Sequence, residues 1–253
     1  MDPITLLIVC PLVFLAGFVD AIAGGGGLIS LPAYLLAGLP AHMALGTNKL
    51  SNAIGTSVAT LRMARAGYIK LPLAVPAVIG ALVGSAFGAK LALLTPEGVF
   101  QMLLVVALPV VAILVLRKRD LDNGGIAEAA PTPKLLVIIG ICAIVTGLYD
   151  GFYGPGAGTF MLLSFVTFAK LRVREASGTM KMCNLASNIS ALVMFLNAGA
   201  VYIALGLIAA AFNVAGNYIG AGLVVKNGSK IVRPLIVVVL CALFAKMLFD
   251  LIA

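Results

Sequence analysis

The sequence predicts an all-α integral membrane protein made of two inverted-topology repeats, with broken or re-entrant helices and 8 to 10 membrane helices in all. Three observations predict it. The 253-residue chain is 62% hydrophobic and only 10% charged, and stretches such as 4–23 and 99–116 carry at most one charge over roughly the 20 residues that cross ~30 Å of hydrocarbon. The chain is also duplicated. GTNKLSNAIGT at 46–56 returns as GTMKMCNLASN at 178–188, so that Lys49 and Lys181, Asn52 and Asn184, and Thr56 and Asn188 are each 132 residues apart. GFVDAIAGGGG at 17–27 returns as GLYDGFYGPGAG at 147–158 and pairs Asp20 with Asp150. A period of half the chain is a duplicated unit, not a solenoid. The third observation, the alternation of Lys and Arg between loops, runs in opposite phase in the two halves.

Residues 4–23 read as a first membrane helix, because the Met-Asp-Pro-Ile start lacks the basic region of a signal peptide. Gly24 to Gly27 must break it. The apolar run 28–38 that follows has 11 residues, ~16 Å as a helix and about half a bilayer, so the pair is either a re-entrant hairpin or a steeply buried span. Irregular backbone at that depth is tolerated only against protein or a water-filled cavity. Further helices are expected near 44–63, 71–93 and 99–116. The fourth carries Gly80, Gly84 and Gly88 at a spacing of four, a seam that lets helices approach closely. The second half repeats the pattern near 135–152, 157–169, 176–197, 200–225 and 232–252.

Residues 117–134 are the one polar stretch, so the expected division is an N-terminal transmembrane repeat over 1–116, a cytoplasmic linker over 117–134 and a C-terminal transmembrane repeat over 135–253. In the first half the loop at 39–43 has no Lys or Arg, the loop at 62–70 has Arg62, Arg65 and Lys70, the loop at 94–98 has none, and the end has Arg117, Lys118 and Arg119. The second half reverses the order: Lys170, Arg172 and Arg174, then none at 198–203, then Lys226, Lys230 and Arg233, then none after Lys246. By the positive-inside rule the two copies have opposite orientations, with both termini outside the cytoplasm. Inverted repeats with discontinuous helices meeting at the midplane are the architecture of many secondary transporters.

Lys49, Asn52 and Thr56 share one helical face, as do Lys181, Asn184 and Asn188. An ammonium at membrane depth costs a few kcal/mol unless it snorkels, pairs or lines water, which makes these lysines site candidates. They have a second reading as structural partners of Asp20 and Asp150, and one residue can do both. Each aspartate lies four residues before a glycine break, where a carboxylate can take up and release a proton or simply position the helix. The N–H groups at the breaks, around Gly24, Gly25 and Gly26 and around Gly154 and Gly156, are candidate anion ligands at a helix N-terminus. The expected anion site therefore comprises Thr47, Asn48, Lys49, Asn52, Thr179, Lys181 and Asn184 with these glycines, and the expected coupling groups are Asp20 and Asp150.

Other classes are disfavoured. The Walker spacing is absent, and no Ser/His, His/Glu or metal-ligand cluster lies at helical spacing, so neither an enzyme nor a metal site is expected. The net charge of +8 sits between apolar segments as a topology signal, not as a nucleic-acid surface. Cys10, Cys142, Cys183 and Cys241 lie singly in apolar runs, as buried thiols do. His42, the one histidine, reads as a loop residue at the membrane surface.

GFVDAIAGGGGLISLP followed by HMALGTNKLSN resembles the sulfite exporter TauE/SafE family, also called TSUP, in its YfcA-like branch. The likeness covers nearly the whole chain and includes the degenerate second copies. It implies a bacterial inner-membrane permease of two four-helix repeats that moves small sulfur-containing or organic anions such as sulfite, sulfoacetate or sulfonates. The second copy departs from the first at Met180 (Asn48 in the first) and Pro155 (Gly25), so unequal contributions from the halves are expected. The functional expectation is a secondary transporter with a small anion as substrate, lipid as its surroundings, no cofactor and coupling to protons. An anion-selective channel using the same lysines is the alternative. Nothing in the sequence specifies an oligomeric state.

Overall fold

The computed structural model describes residues 3–100, 102 and 131–227. Among them the regular elements are all helical: α1 (Pro3–Ala23), α2 (Gly27–Leu36), α3 (Ala41–Arg65), α4 (Leu71–Leu94), α5 (Pro133–Phe152), α6 (Ala157–Thr167), α7 (Val173–Asn197) and α8 (Ile203–Asn227). Of the expected helix at 99–116 only residues 99, 100 and 102 are described, all helical; the expected helix at 232–252, the linker up to residue 130, and Lys230 and Arg233 fall outside the described residues. The protein is a multi-pass membrane protein by its helices: α1, α4, α5 and α8 are each long and apolar enough to cross a bilayer. The 25-residue α3 and α7 are long enough as well, but they carry the polar stripes and are too hydrophilic to stand alone in lipid.

Local sequence sets the helix ends. Helices α2, α3 and α7 each stop at an Ala-Gly pair whose glycine, Gly38, Gly67 or Gly199, has φ between 66° and 82°, the left-handed conformation that closes a helix and that glycine adopts without a Cβ clash. Helix α5 starts at Thr132, whose hydroxyl accepts the Leu135 N–H at 3.3 Å, with Pro133 in the first turn. It therefore begins inside the segment assigned to the linker. Helices α3 and α7 begin three residues earlier than periodicity suggests, because a first turn tolerates polar residues such as His42 and Glu175 that end an apolar pattern. The glycine breaks stand as expected, and α2 and α6 are short helices of 10 and 11 residues.

The packing crosses the sequence division. Helix α8 lies along α1 and α3, while α4 lies along α5 and α7. Each half thus lends its last described helix to the other, giving one bundle of α1, α2, α3 and α8 and a second of α4, α5, α6 and α7. The glycine seams make this possible. Gly80, Gly84 and Gly88 of α4 face the main chain of Gly140, Ile144 and Leu148 of α5 in register, and Gly216 and Gly220 of α8 face Phe14 and Phe18 of α1. A Cβ at Gly84 or Gly216 would overlap a carbonyl of the neighbour. Both pairs run parallel. The two bundles meet mainly where α3 crosses α7, and there Thr56 reaches Asn184 while Thr60 reaches the carbonyl of Lys181, so these two helices run antiparallel.

Two apolar clusters flank that crossing. One gathers Val9, Leu31, Tyr34, Leu45 and Phe195; the other gathers Met63, Met161, Phe165, Leu171 and Met180. Beyond the second cluster the basic loops of both halves converge. Arg174 donates to the carbonyl of Ala66 at 3.0 Å and stacks on Tyr68, Lys70 pairs with Glu175 at 2.7 Å, and Arg62 donates to the carbonyl of Tyr218 at 2.8 Å. At the opposite end His42 pairs with Glu97 and stacks on Phe100.

Gly84→Leu should force α4 off α5, because an overpacked contact costs about 1–3 kcal/mol and more where the neighbour is main chain. Its thermal midpoint in detergent should fall by at least ~5 °C. Gly98→Ala, with open space around its position, should leave the midpoint unchanged within about a degree. Equal midpoints for the two variants would show that the seam is not tight.

Candidate functional site

Helix α1 ends because Gly24 takes φ 72° in a place where no side chain fits: a Cβ there would meet the main chain of Gly158, the glycine of the other break. Gly27 likewise lies against Pro155. The two breaks, more than a hundred residues apart in sequence, therefore touch back to back. The α1 carbonyl left over at Ala23 is not orphaned, since Thr159 of the opposite break donates its hydroxyl to it at 2.8 Å.

Around this contact the four charged candidates form two ion pairs, each joining one half of the sequence to the other. Lys49 Nζ lies 2.8 Å from Asp150 Oδ1, and Lys181 Nζ lies 2.7 Å from Asp20 Oδ2. All four side chains are buried. Lys181 also donates to the main-chain carbonyl of Asp20, which places a cation on the last turn of α1, the negative end of its dipole. Ser187 donates to Asp150, and Thr56 donates to Asp20 at 3.4 Å. Two ammonium and two carboxylate groups leave the centre without net charge.

A small polar cavity, with room for about one water, opens beside these pairs, lined by Asp20, Gly24, Gly27, Asn48, Lys49, Asn52, Asp150, Gly154, Asn184 and Asn188. The geometry thus gathers most of the sequence candidates from both halves at one place. It does not gather all of them. Thr47 accepts the N–H of Tyr202 at 2.9 Å and ties α3 to the start of α8. Thr179 is buried, and its hydroxyl has no partner among the described residues. Lys181 is buried against Asp20 and does not border the cavity. Gly25 packs near Thr159, Gly26 against Ala16 and Asp20, and Gly156 caps α6 with φ 76°; none of the three borders the cavity. Several break N–H groups expected to bind an anion are engaged in the turns: Leu28 donates to Gly25, Ile29 and Ser30 to Gly26, and Ala157 to Gly154.

The sequence reasoning missed Asn213 and Asn217 on α8, both fully buried, and Ser187. The rule that singled out Lys49 applies to the asparagines too, since two amides four residues apart in an apolar helix share a face. They went unnoticed because they occur in one half only: their counterparts are Ala81 and Ser85. Among the described residues no group of three or more His, Cys, Asp or Glu is placed to hold a metal ion.

Comparison with known proteins places the chain among membrane transporters. The family model described as sulfite exporter TauE/SafE matches residues 9–247. A probable membrane transporter protein, ORF9, of Sinorhizobium sp is 36% identical over 94% of this chain and 90% of its own length. The probable membrane transporter protein YfcA of Escherichia coli K12 is 33% identical over 99% of this chain and 92% of its own. A probable membrane transporter protein of Haemophilus influenzae is also 33% identical, over 94% and 92%. No solved structure matches. A family model that spans almost the whole chain, with full-length relatives at this identity, leaves one assignment: the chain belongs to the sulfite exporter TauE/SafE family.

Proposed function

We propose that this membrane transporter is a proton-coupled secondary transporter that carries small anions (sulfite, sulfonates or related sulfur-containing and organic anions) across the bacterial inner membrane. The observation that carries the proposal is the pair of crossed ion pairs, Lys49–Asp150 and Lys181–Asp20, set around a polar cavity where two broken helices meet. An anion that enters has to take a lysine from its aspartate. The centre is neutral beforehand, so a monovalent anion leaves one buried negative charge too many unless a carboxylate binds a proton. Anion and proton binding then favour each other, and that mutual preference is a coupling free energy between two ligands. A channel on the same lysines is the alternative, but two buried charge pairs that must be broken and remade for each anion suit stoichiometric movement better than a standing pore.

The inverted-repeat reading is supported by helix direction. Helices α1, α3 and α8 run one way, as the successive contacts Phe14–Gly216 and Phe18–Gly220, and Asn52–Asn213 and Arg62–Tyr218, indicate, and α7, the counterpart of α3, runs the other. The moving bodies in this proposal are the two packed bundles, not the two sequence halves, because each half has lent a helix to the other. Arg62 and Arg65 in the last turn of α3, Lys70, Lys170 and Arg172 between helices, and Arg174 in the first turn of α7 lie at one common end, which we assign to the cytoplasm by the positive-inside rule; the first described residues of α1 then lie at the outer end.

Purified protein in proteoliposomes should accumulate labelled sulfite, or one of a small panel of sulfonates, only when a pH gradient is imposed. Asp20→Asn should abolish the dependence on the gradient. Lys49→Ala leaves Asp150 buried and unpaired and should lose both transport and about 3–5 kcal/mol of stability. The double change Lys49→Ala with Asp150→Asn should recover most of the stability and none of the uptake. Flux in the double variant equal to wild type would remove Lys49 from the transport site.

Orientation is tested by labelling. With the four native cysteines replaced, a cysteine at Arg65 should react with a membrane-impermeant maleimide only in inside-out vesicles, and one at Ala198 only in intact spheroplasts. Both positions are exposed. Labelling of both from the same side would refute the assignment.

A further inference from the structure

The two asparagines of α8 are part of a chain with a direction. Asn217 Nδ2 donates to Asn213 Oδ1 at 2.6 Å and to the main-chain carbonyl of Asn213 at 3.2 Å. A main-chain carbonyl accepts and cannot donate, so it fixes which end of the Asn217 amide points along the helix. Asn213 must therefore offer its oxygen to Asn217 and turn its Nδ2 the other way, where it donates to Asn52 Oδ1 on α3 at 2.8 Å. Asn52 in turn donates its Nδ2 to Asn48 Oδ1 at 3.2 Å. Asn48 is the last member and borders the cavity. Its oxygen is turned to Asn52 and accepts one hydrogen bond there, which leaves its pair of N–H donors as the groups to offer a ligand. The leftover acceptor of the chain, Asn217 Oδ1, is buried at the far end without a partner among the described residues.

We propose that Asn213 and Asn217 are positioning residues for the anion: they lock four amides head to tail, so that Asn48 presents donors and not a carbonyl oxygen to an oxyanion beside Lys49. The inference rests on the anion reading given above and adds the device that selects charge sign. Aligned amides in a low-dielectric interior polarise one another in the same sense, which strengthens the terminal donor. Reversal of the chain would point a lone pair at the anion and set the amide nitrogen of Asn217 against no acceptor but its own helix. The second half has no such chain, since Met180 and Ala81 stand at the positions equivalent to Asn48 and Asn213. There the counterpart is a single link, Asn188 donating to Asn184 Oδ1 at 3.1 Å, and because Lys49 borders the cavity whereas Lys181 does not, the anion binds closer to Lys49 than to Lys181.

The test uses the full chain in lipid nanodiscs with nitrogen-15 in its asparagines, together with sulfite uptake in proteoliposomes. Asn217→Ala opens space without adding bulk. It should displace the side-chain amide signals of Asn52 and Asn48, two and three links away, and should raise the sulfite KM by about tenfold while kcat changes less than about twofold. Asn213→Ala, one link nearer, should give the same displacement and guards against a folding defect peculiar to residue 217. If the Asn48 signal stays in place in both variants, the relay is wrong whether or not the protein transports anything. If the signals move but the wild type takes up no sulfite or sulfonate, the relay stands and the anion reading falls.

Discussion

Two buried lysines that each find their carboxylate in the other half of the sequence are the constraint on which the rest of the structure depends. Neither half is electrically complete alone: folded by itself, each would hold one ammonium and one carboxylate at membrane depth without its native partner. Breaking a buried pair by loss of one member costs several kcal/mol, so assembly of the halves and neutralisation of the centre are one event. The geometry that allows it is stringent. Asp20 and Asp150 sit just before the glycine breaks, and the breaks have to touch for both pairs to close at 2.7–2.8 Å. Glycine on both sides of that contact, Gly24 against Gly158, is what lets the two chains approach that far.

The duplication supplies the frame and not the details. The pseudo-equivalent positions Gly55 and Ser187 show why. A Cβ at Gly55 would collide with the Asn213 side chain, whereas Ser187 has room and uses its hydroxyl to bond Asp150. Ser85, the counterpart of Asn217, donates to the carbonyl of Ser187 at 2.7 Å. One aspartate is therefore held by a serine on the helix behind it and the other by Thr56 from α3. Two carboxylates with the same place in the repeat have different second partners.

Much of this was legible in the residues. Lysine, aspartate and asparagine in apolar segments are expensive enough that their presence marks the centre, and their recurrence at a fixed offset marks both copies. The glycine runs announced the breaks, and the loop charges announced which loops share an end, as Arg174 on Ala66 and Lys70 on Glu175 bear out. The crossing of the ion pairs was not legible, because a lysine's sequence position says nothing about which of two equivalent carboxylates lies nearer once the helices pack. The exchange of α4 and α8 was hidden for the same reason: a glycine seam states that a helix packs closely, not against which neighbour. Thr47 and Thr179 show the opposite error. They belong to the repeated motif, yet they do not border the cavity, since a residue two positions from a lysine on a helix is rotated about 200° from it.

The exchange of helices changes what a rocking motion has to do. If the sequence halves moved as bodies, the tight main-chain seams between α1 and α8 and between α4 and α5 would have to slide. Moving the packed bundles leaves both seams intact and concentrates the change at the α3–α7 crossing and the touching breaks. That boundary is where both ion pairs lie, one on either side of the crossing. In the mechanism we propose, rotation of one bundle on the other strains the two pairs together and becomes easy only when the charges are satisfied some other way: a proton on an aspartate and an anion on the lysine it leaves. On the proposed mechanism the same two interactions that hold the halves together are the ones that the substrate and the proton replace, so an empty, deprotonated centre resists the motion and a loaded one permits it.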